Sequence, residues 1–243
     1  MASKVRLYVE HPLGEGQSVP LTRDQAHYLF GVMRLAEGSV ISLINGADGE
    51  WDASVEKAGK KGGILLCLTQ TRALQLPPDL WLLFAPIRKE RTAFIVEKAV
   101  EMGAARVMPV QTDYTQSANR IRQDKLQAHA VEAAEQCGGT FVPPVDDLAK
   151  LDRLLADWPS ERQLMFCDEV LIGDPVGLPA MTGPWAILIG PEGGFSPAER
   201  DRLHGLSFAH PVSLGPRILR ADTAAVAALT IWQQALGDWT SNG

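Results

Sequence analysis

Two glycine-bearing stretches in the last third of the chain hold residue types from which a ligand site can be built. ILIGPEGGFSPAER (187–200) leaves an apolar run at Ile189 and passes through Gly190, Pro191, Glu192, Gly193 and Gly194. Ser196 and Glu199 then stand at the spacing of a capping box, with Pro197 at the first helical position. A helix therefore starts at Ser196, and GPEGGF (190–195) is the loop before it. Glycine there lets the backbone take positive φ and come close to a ligand. The second stretch, SLGPRILRADTAA (213–225), leaves a strand near Leu214, opens at Gly215 and Pro216, and runs into a long helix that Asp222 can cap. Arg217 and Arg220 flank Ile218 and Leu219. An apolar pair in an exposed loop wants a flat apolar partner, such as an adenine ring.

The ligand class narrows by elimination. A phosphate-cradling P-loop needs GxxxxGK[ST], and neither stretch has it. A dinucleotide fingerprint needs GxGxxG after an early strand, which GPEGG is not. Glu192 is a poor neighbour for a pyrophosphate and suits a cationic or amino-bearing ligand. Either loop alone also serves as a plain tight turn; two of them on successive late strands favour a site.

Such loops need a sheet to hold them. From LQLPPDLW (74–81) onward, apolar runs alternate with helical patterns: 81–86, helix 91–103, 106–110, helix 124–138, 163–168, 185–190, helix 196–205, 210–215 and helix 222–237. Continuous apolar strands between helices predict an α/β domain with a largely parallel sheet covered on both faces. Residues 1–73 read differently. VRLYV (5–9), SVISLIN (39–45), WDASVEKA (51–58) and GILLCLTQT (63–71) are short β segments, and 21–35 is the one helical stretch, with Asp24 as a cap. That pattern predicts a small barrel. The prolines of 74–80 mark a linker, which leaves 81–243 as the second domain.

Composition closes off several classes. The 243 residues carry a net charge of −6, which argues against coating nucleic acid by charge alone. Residues 1–75 hold eight cations and eight carboxylates, so the acidity lies after them. Cys67, Cys137 and Cys167 lie far apart, which fits a reducing cytosol. The five histidines form no metal-ligand spacing, so no metal is expected. MASKVRLYVE has no apolar core of signal-peptide type, and no apolar run nears the ~20 residues of a membrane helix.

IGPEGGFS followed by LGPRILRADTA resembles the paired signature of the 16S ribosomal RNA uracil-N3 methyltransferases, of the SPOUT (trefoil-knot) superfamily. HYLFGVMRLAEGSVISLINGADGEW (27–51), KERTAFIVEKAVEMGAARVMPV (89–110) and VEAAEQCGGTFVP (131–143) extend the likeness over the whole chain. The resemblance implies an N-terminal PUA-like β-barrel that helps bind RNA and a knotted C-terminal α/β methyltransferase domain. It implies S-adenosyl-L-methionine as cofactor, a homodimer, a cytoplasmic location, and a uridine near the 3′ end of 16S rRNA in the 30S subunit as substrate. Carried over by position, Ile189, Gly190, Pro191, Glu192, Gly193, Gly194, Leu214, Gly215, Arg217, Ile218 and Leu219 line the cofactor, and residues after QLMFC supply a third wall. Ala221 and Asp222 stand where Thr and Glu are commoner, and Gly139 where arginine is often found.

The chemistry then asks for a cation beside an anionic uracil. Arg220 is the first candidate and Arg217 the second; pairing of Arg220 with Asp222 is the competing reading. Arg88, Lys89 and Arg91 form a basic cluster at a helix start, where the dipole disfavours cations; it reads as a phosphate contact or as a solvated face. Arg6, His27 and Arg34 are further RNA-contact candidates in the first domain. The final helix, apolar nearly all round, is expected in the core or at a dimer interface. Two alternatives stand beside the uracil reading: a SPOUT enzyme for another RNA target such as a ribose 2′-hydroxyl, and a non-catalytic RNA-binding assembly factor.

Overall fold

Period-two alternation builds the first sheet. The computed structural model describes residues 5–116, 121–171 and 178–240. In it, β1 (Arg6–Tyr8), β2 (Ser18–Pro20), β3 (Val40–Ile44), β4 (Glu50–Gly59) and β5 (Gly62–Arg72) form a five-stranded sheet in the order β1-β3-β4-β5-β2. β1 runs parallel to β3, and the other pairs are antiparallel. Leu7, Ile41, Leu43, Ala53 and Leu65 point inward and pack with Leu29.

The expected helix over 21–35 is shorter and changes character. α1 (Arg23–Ala26) passes into a π-helical turn over His27–Val32. Its cap is Thr22, not Asp24: the Thr22 hydroxyl accepts from the Gln25 amide while the Gln25 side chain accepts from the Thr22 amide. A T-x-x-Q capping box satisfies two orphan donors at once, which a lone Asp24 two residues later does not. Arg34, at φ 56°, is the one non-glycine residue with positive φ among those described.

The second sheet has six parallel strands in the order β11-β9-β10-β6-β7-β8. They are β6 (Leu80–Phe84), β7 (Arg106–Gln111), β8 (Ala149–Lys150), β9 (Gln163–Cys167), β10 (Trp185–Ile189) and β11 (Ala209–Val212). Between them run α2 (Lys89–Glu101), α3 (Gln123–Cys137), α4 (Leu151–Ala156) and α5 (Pro197–His204), and α6 (Ala221–Leu236) follows the last strand. Every residue of WAILI in β10 is buried, as expected where helices cover both faces. α6 packs against α2, burying Ala225, Ala228, Leu229 and Trp232. The buried Gln233 side chain donates to the Met102 carbonyl at 2.7 Å, which ties α6 to the end of α2. Where these strands begin, the buried guanidinium of Arg162 lies 3.5 Å from the centroid of the Trp81 ring and donates to the carbonyls of Asp79 and Trp185.

The chain divides into two compact units, Met1–Leu76 with Ala134–Val142, and Pro77–Ala133 with Pro143–Gly243. The return of 134–142 to the first unit is not legible in the linker prolines. Its cause is a pair of arginines. Arg6 spends all five guanidinium N–H groups: on Glu50 and on the carbonyls of Ala134, Glu135 and Gly139. Arg72 bonds Glu50 and the Gly138 carbonyl. Together they satisfy carbonyls that the end of a helix leaves open. With a side chain only 13% exposed, Arg6 is a structural clasp and corrects the expectation of a free RNA contact there.

Glu50 is the hub of this cluster. Desolvation pushes its carboxyl up, yet the hydrogen bonds from Arg72 and Arg6 outweigh it and hold the group below the ordinary glutamate value. A depressed carboxyl stabilises the fold above the unfolded pKa of about 4.3, and the benefit fades as pH falls through the folded value. Glu50→Gln should therefore destabilise the first unit by about 2 kcal/mol at neutral pH, read as faster amide exchange in β3–β5. The gap to wild type should close below about pH 4. A gap that is constant with pH would rule out the ionic account.

Candidate functional site

β11, β9 and β10 are neighbours and parallel, so their C-terminal ends open onto the same edge of the sheet. In open α/β sheets that edge is where ligands bind. A cavity lies there, walled by three loops. At the end of β9 come Cys167, Asp168 and Glu169; after β10 come Gly190, Pro191, Glu192 and Gly194; after β11 come Ser213, Leu214 and Gly215, then Arg217 to Arg220.

The loop after β10 is fixed by its helix. Ser196 and Glu199 form the expected reciprocal capping box, and Pro197 opens α5. The Ser196 hydroxyl also donates to Asp113 at 2.5 Å, and Glu199 accepts from the Asp113 amide at 2.9 Å. The Gly194 amide donates to the Pro191 carbonyl at 2.9 Å, which closes the turn. Gly194 has φ 69°, and a Cβ there would lie 1.9 Å from a Glu169 carboxylate oxygen. The left-handed backbone favours glycine there, and any larger residue would require the Glu169 carboxylate to move.

The loop after β9 is held by charge. Asp168, its side chain 1% exposed, accepts from Arg200 at 3.1 Å and lies 2.9 Å from His204 Nε2. Arg200 also donates to Glu169 at 2.7 Å. One arginine of α5 thus fixes two carboxylates at the end of β9. Burial pushes the Cys167 thiol up strongly, so this cysteine is not a nucleophile.

The loop after β11 meets α6 differently from expectation. The N-cap of α6 is Arg220, through its backbone, and Asp222 sits in the first turn. The Asp222 carboxylate accepts from the Thr223 amide and pairs with Arg91 at 3.1 Å. The cap expected of Asp222 is thereby corrected: two residues past the N-cap, its carboxylate serves the Thr223 amide and Arg91 instead. Arg217 and Arg220 both line the cavity, and neither makes an ion pair among the described residues. Ile218, which lines the cavity, is 74% exposed, and Leu219 lines the same cavity.

Of the residues expected at the cofactor, Ile189, Gly190, Pro191, Glu192, Gly194, Leu214, Gly215, Arg217, Ile218 and Leu219 line this cavity, and so does Arg220. Gly193 does not. It faces a second cavity, where a Cβ would meet the Tyr114 side chain at 3.5 Å. Arg88 also lines that second cavity, and Lys89 is exposed beside it. Arg91 is taken up by Asp222, so the basic cluster does not act as one patch. Arg34 and His27 are exposed on the first unit. Asp168, Glu169, Asp113 and Tyr114 were not singled out from the sequence. For the first two a signal existed, since a C-D-E triplet ends an apolar strand at the ligand edge.

Residues 74–233 match the model of an RNA methyltransferase domain. The chain belongs to this RNA methyltransferase family. Residues 21–66 of this methyltransferase match the model of the PUA domain found in RNA methyltransferases. It is 27% identical to the ribosomal RNA small subunit methyltransferase E of Rickettsia conorii, over 92% of this chain and 93% of that protein. With the protein of that name from Synechocystis it shares 30% identity over 87% of this chain and 71% of the other. The crystal structure of ribosomal RNA small subunit methyltransferase E from Neisseria gonorrhoeae bound to S-adenosyl methionine superposes with a TM-score of 0.88 at 26% identity, covering 98% of this chain and 100% of that one. Among the described residues of this methyltransferase, no helix is long and apolar enough to cross a membrane.

The contact between Gly194 and Glu169 is open to a direct test. Gly194→Ala should cost about 1–2 kcal/mol for its left-handed backbone. It should cost more again because Glu169 must release Arg200 to make room. In the double variant with Glu169→Ala only the backbone part should remain, giving a coupling of at least about 0.5 kcal/mol in chemical unfolding. Strict additivity would mean that the two loops do not brace each other.

Proposed function

We propose that this protein transfers a methyl group from S-adenosyl-L-methionine to N3 of a specific uridine near the 3′ end of 16S rRNA, in the 30S subunit. The observation that carries the reading is the three-loop cavity, in which the loops of the paired signature meet at one sheet edge. Its donor set fits the methyl donor. Glu169 and Glu192 offer carboxylates to a cationic ligand, Ile218 and Leu219 offer an apolar face to a flat ring, and the glycine loops offer backbone. The names of the relatives support a small-subunit rRNA substrate.

The donor supplies an activated methyl on a sulfonium. What the chain must do is hold that methyl in line with the acceptor nitrogen and stabilise the charge that develops there. N3 lies on the pairing edge of uracil, so the base must be unpaired or turned out of its stack. As N3 loses its proton the ring becomes anionic. Arg220, which makes no ion pair among the described residues and stands at the N-cap of α6, is the first candidate to stabilise that charge, and Arg217, in the lining of the same cavity, is the second. On the first unit, the exposed Arg34 offers a phosphate contact that adds to the salt dependence of binding.

Purified protein, labelled S-adenosyl-L-methionine and 30S particles from a strain lacking the homologous enzyme should yield 3-methyluridine at one site after nuclease digestion and mass spectrometry. A ribose-methylated nucleoside would keep the family and refute the target. Absence of label on any RNA, despite cofactor binding, would refute the catalytic reading.

Arg220→Ala should lower kcat by about 10²-fold, as for loss of one preorganised charge-stabilising donor, with the cofactor Kd unchanged. A near-wild-type kcat would remove Arg220 from the reaction.

A further inference from the structure

A second cavity, of about 490 Å³, adjoins the first. Pro191 and Glu192 line both, so the GPEGG loop is a partition with a space on each side. The far wall of the second space is the β7 loop, Asp113–Gln116, together with Ile87 and Arg88 at the start of α2. We propose that this second cavity receives the acceptor base of the RNA, stacked on the ring of Tyr114, with Glu192 in the partition taking the proton from its nitrogen. The inference rests on the methyltransferase reading above and assigns a part of the site that reading leaves open.

The chemistry of the lining fits a base turned out of its stack. Tyr114 is 46% exposed. A Cβ added at Gly193 would be in van der Waals contact with the Tyr114 side chain at 3.5 Å, so that side chain lies close against the glycine turn. A large aromatic side chain braced on one side and open on the other is a stacking platform. Arg88 contributes a guanidinium free of ion pairs among the described residues, at the positive end of α2, as a phosphate flanking the base requires. Two carboxylates face the space, and they are not equivalent. Asp113 is committed, since it accepts from the Ser196 hydroxyl. Glu192 is exposed and makes no hydrogen bond or ion pair among the described residues. It is also the carboxylate shared by both cavities.

The transfer then balances. The N3–H bond breaks and its proton passes to the Glu192 carboxylate. The N3 electron pair forms the new N–C bond to the methyl carbon. The electron pair of the broken C–S bond stays on sulfur, which leaves as a neutral thioether.

Steady-state methylation of 30S particles by Tyr114→Ala, Tyr114→Phe and Glu192→Gln tests this, with S-adenosyl-L-methionine binding measured on each by calorimetry. Tyr114→Ala should lower kcat/KM for 30S by roughly 5- to 150-fold, the loss of one stacked base. Tyr114→Phe should stay within about twofold of wild type, because stacking needs the ring and not the hydroxyl. Both should bind the donor as wild type does. Glu192→Gln should lower kcat by about 10²-fold with saturating donor. Wild-type turnover in Tyr114→Ala would overturn the proposal, as would a parallel loss of donor affinity, which would make the cavity part of the donor site. Unchanged kcat in Glu192→Gln would overturn the proton transfer. Failure of the underlying reading is distinguishable, because a wild-type enzyme that methylates ribose, or nothing, fails before any variant is compared.

Discussion

The carboxylate of Asp168, at the end of β9 and almost wholly out of solvent, carries the interaction on which the site depends. A buried carboxylate without partners is strongly unfavourable, and removing one partner of a buried pair costs more than the pair contributes. Asp168 therefore requires Arg200, and Arg200 requires α5 to stand where it does. α5 in turn begins at Ser196, immediately after the GPEGGF loop, so the charge pair sets the position of that loop too. The same arginine reaches Glu169, and Glu169 occupies the space that any side chain at Gly194 would need. The two loops are interlocked by one cation and one missing Cβ.

A second brace works through hydroxyl and amide instead of charge. Ser196 and Glu199, besides capping α5, take hold of Asp113 in the loop after β7. The N-terminus of α5 is thus the junction of three loops, those after β7, β9 and β10. Phe195 fills the space beneath it, edge-on to Phe166 at 5.7 Å between ring centroids. The opposite end of the strands is clamped independently by Arg162 against Trp81. With both ends of the sheet fixed, the glycines do not make the loops floppy. They let backbone pass where side chains would collide.

Much of this is legible in the amino-acid sequence. The α/β rhythm after residue 80 gave the strands that form the parallel sheet, because buried parallel strands read as unbroken apolar runs. The capping box placed the start of α5 to the residue, because two side chains at fixed spacing are a stronger signal than propensity. What escaped was short or non-local. β8 has two residues and α4 has six, too few for any period to show. The π-helical turn after Ala26 leaves nothing in the apolar pattern that an α-helix would not. Arg6 looked like an exposed cation because its partners, the carbonyls of 134–139, lie more than a hundred residues away and are backbone atoms. Arg91 and Asp222 escaped through distance alone, since their side chains pair across 131 residues of sequence. Sequence spacing finds local caps and turns; it does not see which distant charge will close a pair.

Pro191 and Glu192 line both cavities, so the GPEGG loop is where the two spaces meet. On the proposed reading this constrains the loop strongly. A methyl group passes between two ligands over only a few ångströms, so the reacting atoms must nearly touch. Backbone standing between them would block the transfer; the donor and the base would therefore have to meet at the edge of the loop, beside the Glu192 side chain. A carboxylate at that edge would attract a cationic donor on one side and accept from an acidic N–H on the other. The residue type that argues against a phosphate ligand in the sequence is thus the one that this proposed transfer would use.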